Sequence, residues 1–147
     1  MTAEVKLRTL ASADPTLSGL LASAGLFRWF DRQLPQGYIQ RGACVRLLRV
    51  STLPMYAASG RLAAEEIRVQ LDVLDFDAET ARGVAAAIDT WFGTVDLMSA
   101  QQFASPPTTP SQFPSFKLNQ RAGMDYQLQP PAYVETLEYR VFNNLNT

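Results

Sequence analysis

The sequence predicts an α+β domain: a mostly antiparallel sheet of about four strands, one helix packed on a face of that sheet, and helices at the N-terminal end. Three stretches carry this expectation. Ile67, Val69, Leu71 and Val73 alternate with Glu66, Arg68, Gln70 and Asp72, the period of two that marks a strand with one buried face. Directly afterwards Ala81, Val84, Ala85, Ile88, Trp91 and Phe92 recur at helical spacing, which builds one apolar stripe. Near the end Leu137, Tyr139 and Val141 alternate with Thr136, Glu138 and Arg140, a second half-buried strand.

In chain order, Val5, Leu7, Leu10 and Ala11 make a short, weak helical pattern. Asp14-Pro15 is a stronger start signal, an N-cap followed by proline at the first helical position. Leu17, Leu20, Leu21 and Ala24 then follow helical spacing up to Gly25. In the next segment Phe27, Trp29 and Phe30 interleave with Arg28 and Arg32. Such interleaving suits either a core-edge segment with snorkelling arginines or a stacking platform for nucleic acid. Leu34-Pro35-Gln36-Gly37 reads as a turn.

Residues 43–51 read as the first strand, and 52–60 as a hairpin loop that exposes Pro54, Met55 and Tyr56. The strand 62–75 and the helix 77–92 come next, with Asp77 as N-cap and Gly93 at the C-terminal stop. Pro106, Pro107, Pro110 and Pro114 fall among Ser and Thr in 104–114, an extended polar loop flanked or occupied by Phe103 and Phe113. Residues 115–121 read as a strand, Ala122-Gly123 as a turn or bulge, and 133–142 as the closing strand. The 147 residues fit one domain, 1–147.

Composition narrows the chemistry. The chain has no histidine and one cysteine, Cys44. That removes the commonest general base, the commonest metal ligand, zinc clusters and an internal disulfide. There is no phosphate-cradling glycine motif. Asp72, Asp75, Asp77 and Glu79 cluster at the strand-to-helix junction, but their spacing is not that of a calcium loop. No catalytic residue, metal or cofactor is expected. Nor is a secretory leader or membrane span, which leaves a cytoplasmic protein or a particle assembled in the cytoplasm. Net charge is −1, yet residues 1–61 carry eight Lys/Arg and three Asp/Glu, and 62–147 carry five and eleven. A subunit with a positive and a negative side suits head-to-tail packing against its own copies.

The order of these elements resembles the tail terminator, or tail completion, proteins of long-tailed bacteriophages and phage-like particles. The likeness lies in LRTLASADPTLSGLL, in FDRQLPQG, in ACVRLLRVSTLPMYAASG, in EEIRVQLDVLDFDAETARGVAAAIDTWF and in ETLEYRVF, and it spans most of residues 7–142. The proline loop departs from it. The resemblance implies a ring, usually a hexamer, that caps the tail tube, stops its polymerisation and docks to a head–tail connector or stopper, with DNA passing through the lumen. It places the protein at the head–tail junction of a particle assembled in the host cytoplasm. On this reading Trp29, Phe30, Pro54, Met55, Tyr56, Phe103 and Phe113 are assembly contacts. Glu66, Arg68, Asp72 and Glu138 line the lumen or a subunit interface. A different connector or tube component is an alternative. So are a small-molecule-binding α+β regulatory module with an apolar pocket and an enzyme with convergent carboxylates.

Overall fold

A computed structural model describes residues 2–23, 25–34, 42–99, 111–128 and 130–146. The element order is α1 (Ala3–Ala13), α2 (Pro15–Leu21), β1 (Ala22–Ser23), β2 (Leu26–Phe27), β3 (Trp29–Asp31), β4 (Cys44–Ala57), β5 (Gly60–Asp75), α3 (Ala78–Phe92), β6 (Phe116–Asp125) and β7 (Ala132–Asn144). The α+β class stands. The main sheet has five strands in the order β3-β4-β5-β7-β6, one more than expected. The addition is β3, which joins β4 in parallel through Trp29↔Val45, Phe30↔Arg46 and Asp31↔Leu47. The other pairings in this sheet are antiparallel, and β1 and β2 form a separate small ribbon.

The helix starts are set by side chains, as the sequence indicates. Asp14 accepts a hydrogen bond from the Leu17 amide with Pro15 in the first turn, and Asp77 accepts from the Thr80 amide at the start of α3. The helix α2 stops at Leu21, short of Gly25. Ala24, Pro35, Gln36 and Gly37 lie outside the described residues.

The predicted apolar faces meet. Ile67, Val69, Leu71 and Val73 on β5, with Leu137, Tyr139 and Val141 on β7, pack against Ala81, Val84, Ala85, Ile88, Trp91 and Phe92 of α3 in one buried cluster. Aromatic rings run through this layer. Phe27 stacks on Trp29 at 6.0 Å, Trp29 meets Trp91 edge-on at 5.7 Å, and Phe92 stacks on Tyr139 at 3.9 Å. The Tyr139 hydroxyl donates to Asp89 at 2.6 Å. Burial and that carboxylate together push its pKa up.

The helix α1 is fastened to the sheet by charge as well as by Leu7 and Leu10. The Lys6 side chain is fully buried, and its ammonium donates to Asn143 Oδ1 and to the Asn144 carbonyl, both at 2.6 Å. Burial lowers its pKa, while Glu65 pulls the other way. Nearby Arg49 forks onto both Glu4 oxygens at 2.7 and 2.8 Å, a bidentate geometry that fixes direction as well as distance. Burial raises the Glu4 pKa, but the Arg49 hydrogen bonds, a backbone hydrogen bond and the nearby arginine charges together outweigh it and leave the carboxyl below its ordinary value.

Candidate functional site: assembly surfaces

Three surface features stand out: the open face of the sheet, a projecting hairpin, and the β6 edge. The open face is the side of β5 away from α3. Register aligns Arg46, Asp72, Thr136 and Arg121 across four strands, and Arg68 with Arg140 four residues further along. Asp72 is almost wholly enclosed, accepting from Arg46 at 2.7 and 3.1 Å, from Gln70 at 3.0 Å and from Thr136 at 2.9 Å. Glu138 accepts from Arg68 at 2.7 Å and from Arg121 at 3.2 Å. Glu66 lies 3.4 Å from the Arg140 guanidinium.

The arginines are the outer layer. The side chains of Arg68 and Arg121 are 47% and 52% exposed, whereas those of Asp72 and Glu138 are 4% and 10% exposed. Alternation alone marks this face as polar and suggests bare carboxylates. In the structure the longer guanidinium side chains fold over Asp72 and Glu138 and cover them. The face is therefore a mosaic of paired charges with cations outermost.

The mosaic makes stability pH-dependent. Hydrogen bonds from Arg68 and then Arg121 hold the Glu138 carboxyl below its ordinary value of 4.5 against the opposing pull of burial. A carboxylate with a depressed folded pKa stabilises the fold above its unfolded pKa and loses that contribution as pH falls through the folded value. The urea midpoint is thus expected to fall as pH drops below about 4.5. Glu138→Gln should show a shallower fall over the same window. Parallel slopes for the two proteins would mean that the pairs contribute nothing.

The hairpin is longer than the loop expected at 52–60. Strand β4 continues to Ala57 and β5 begins at Gly60, so Pro54, Met55 and Tyr56 lie on strand β4, with Met55 and Tyr56 in a two-stranded arm and Pro54 at its base beside Glu65. Gly60 has a φ of +119° at the tip, a conformation that favours glycine. The arm reaches past the end of β7, whose last partner on β5 is Ala64. It exposes Tyr56, at 69%, and Leu62, while Val50 and Leu53 are exposed on β4 beside the stretch of β5 that still pairs with β7. A two-stranded ribbon without a covered face is marginal by itself.

The strand β6 is also longer than expected. It runs through Ala122 and Gly123 without a turn, and its irregularity lies between Lys117 and Asn119. Among the described residues it pairs only with β7, and it exposes Phe116, Leu118 and Met124. Arg140 lies over the Phe116 ring at 4.8 Å.

The aromatic candidates separate. Trp29 is 1% exposed and belongs to the core, so it offers no surface for contact. Its neighbour Phe30 is half-buried against a smaller cluster around Cys44 and Leu74. Arg28 is buried and donates to the carbonyls of Ala43 at 2.8 Å and Leu20 at 3.1 Å, which places this segment in the core-edge class and not on a nucleic-acid platform. Phe113 is 47% exposed. Phe103 and proline-loop residues 104–110 lie outside the described residues.

Of the junction carboxylates, Asp77 caps α3 and Asp75 accepts from the Asp77 amide at 2.7 Å. Two depressions on the open face, of about 480 and 400 Å³, are lined largely by charged and polar side chains such as Arg46, Asp72, Arg121, Glu66 and Arg68. That is not the apolar pocket of a small-molecule module. Sequence reasoning missed the β6 surface beyond Arg121 and the depth of the arm. The apolar residues at alternate positions of an otherwise polar segment, Phe116 and Leu118, were the available signal.

Comparison with known proteins adds the fold's company. No protein-family model matches the sequence, and no curated protein matches it. Among solved structures, a chain from the virion of a native gene transfer agent (GTA) particle superposes with a TM-score of 0.62 at 15% identity, covering 95% of this chain and 93% of that one. The two share a fold. The match covers nearly the whole chain, so the likeness is one of overall fold.

Proposed function

We propose that this protein is a structural virion component, a ring-forming tail terminator that caps the tail tube, stops its polymerisation and joins the tail to the head connector while DNA passes through the lumen. The observation that carries the reading is the near end-to-end likeness in fold to a chain of a gene transfer agent virion. The finer role rests on the sequence segments that resemble tail terminators. The protein's work is then binding, and no residue is catalytic. Its partners are copies of itself, the tube protein and a connector or stopper, at the head–tail junction of a particle assembled in the host cytoplasm. No helix among the described residues is long and apolar enough to cross a membrane.

Within this reading Pro54, Met55 and Tyr56 on the arm and at its base, with Phe30 and Phe113, are assembly contacts. The open face with Glu66, Arg68, Asp72 and Glu138 lines the lumen or a subunit interface. If it lines the lumen, its paired charges limit how many phosphates it can neutralise, and phosphate neutralisation sets non-specific DNA affinity.

The test is mass measurement of purified protein by light scattering, followed by electron microscopy after adding purified tail tubes. Rings in solution, or rings that form only on tube ends, are expected. A monomer or dimer that never decorates tube ends overturns the reading, and open-ended polymers would identify a tube subunit instead.

A further inference from the structure

Charges on the open face are paired, but one end of it holds a cation more than its carboxylates can match. Arg68 on β5 and Arg140 on β7 are direct register partners, and Ser51 on β4 is the register partner of Arg68. Residues opposed in this way share a face, and like charges so opposed repel. These residues line one depression of about 400 Å³ together with Glu66, Leu53 and Leu118.

Two carboxylates serve three guanidiniums here. Glu138 is shared by Arg68 at 2.7 Å and Arg121 at 3.2 Å, which leaves Glu66 for Arg140. That pair is the longest of the three. The Arg140 Nε and the Glu66 oxygen are 3.4 Å apart, and the Nε is buried with no hydrogen-bond partner among the described residues. Buried donors are almost always met. The guanidinium is nonetheless held in place, because it lies over the Phe116 ring at 4.8 Å. Arg68 spends one terminal nitrogen on Glu138 and is 47% exposed.

We propose that this depression is a binding site for one phosphate group, either free or as the phosphodiester link of a nucleic acid. An anion seated between Arg68 and Arg140 supplies the missing negative charge and relieves the repulsion of two opposed cations. Arginine suits the task because its planar fork matches phosphate oxygens in pairs. Ser51 adds a neutral donor residue at the rim. The depression has room for the carbon that a phosphodiester carries, and Leu53 and Leu118 give that carbon an apolar wall. Glu66 is the opposing element. Its carboxylate competes with the anion for Arg140, which keeps binding weak and release fast. The site goes beyond the ring reading and does not depend on it.

Two-dimensional NMR of the isotope-labelled chain reads each arginine Nε–H directly. Inorganic phosphate, titrated at constant ionic strength against chloride, should move the Arg140 and Arg68 signals along one saturable curve. Arg82, which is 63% exposed on α3 across the sheet from the open face, should not follow that curve. Arg140→Gln should weaken binding by about tenfold, the equivalent of one charge-assisted hydrogen bond. Arg140→Lys should recover only part of the loss, since an ammonium lacks the fork. Glu66→Gln should bind several-fold tighter, and it keeps the test open should an Arg140 variant fail to fold.

A short oligothymidine then separates the sources. The same two signals moving at lower strand concentration identify a phosphodiester, whereas movement with inorganic phosphate alone identifies the free ion. No saturable shift with either probe, an equal shift at Arg82, or a Glu66→Gln variant that binds no tighter overturns the proposal. Its failure leaves the ring reading untouched, because rings on tube ends are read by microscopy and not by anion binding.

Discussion

Trp29→Ala is expected to destabilise the isolated chain by about 3–5 kcal/mol, the range for deleting a large aromatic from a packed core. The residue is 1% exposed, and its ring touches Phe27 on one side and Trp91 on another. Its loss opens a cavity between the N-terminal strands and α3 that neither neighbour can fill without leaving its own contacts. The conservative change should behave differently. The Trp29 indole N–H is buried and has no hydrogen-bond partner among the described residues, which itself costs about 1–3 kcal/mol. Trp29→Phe removes that unmet donor together with part of the ring, so the two effects oppose and the net loss should be well under that of alanine. Urea unfolding of the three proteins decides the matter. Equal stability of wild type and Trp29→Ala would return Trp29 to the surface, the other of the two places its sequence pattern allows.

The second large effect is at Lys6. Lys6→Ala should cost about 3 kcal/mol or more, because removing one member of a buried ionic network leaves the others short of a charged donor. Asn143 Oδ1 and the Asn144 carbonyl would lose a charged donor, and Glu65, which also meets Arg49, would lose the favourable charge of the ammonium. Lys6→Met separates the two contributions of the residue. Methionine restores the stem's volume but not the ammonium, so most of the loss should persist. If Lys6→Met matches wild type in urea midpoint, the stem and not the charge holds α1 in place.

How far the sequence revealed these features depended on whether an element has one buried face. Strand β5 and helix α3 were legible because each is half-covered, and coverage imposes a period on Ile67–Val73 and on Ala81–Phe92. Asp14 and Asp77 were legible because a cap is local chemistry. The arm was not: β4 is exposed from Val50 onward, so no alternation is imposed there, and Pro54 reads as a loop. The same holds for β6, an exposed edge in which Gly123 looks like a break yet sits within the ladder. The three-residue β3 is too short to show any period, and its parallel partner lies beyond an intervening segment. Asp72 and Glu138 fall on the polar side as alternation says. That they lie beneath arginines depends on side-chain length across neighbouring strands, which a one-dimensional pattern does not contain.

The position of β7 has a consequence for when the protein becomes competent. This strand is the last element in the chain, yet it sits inside the sheet between β5 and β6. Through Asn143 and Asn144 it also receives Lys6, across a sequence separation of 137 to 138 residues. Contacts this distant slow folding, because a long loop must close before any of them is rewarded. During synthesis, β4 and β5 can pair as a hairpin, but β6 has nothing to pair with until β7 arrives. A ribosome-bound or truncated chain without β7 therefore lacks the strand that joins β6 to β5 and receives Lys6, so neither β6 nor the Lys6 anchor of α1 can join the sheet before that strand is in place.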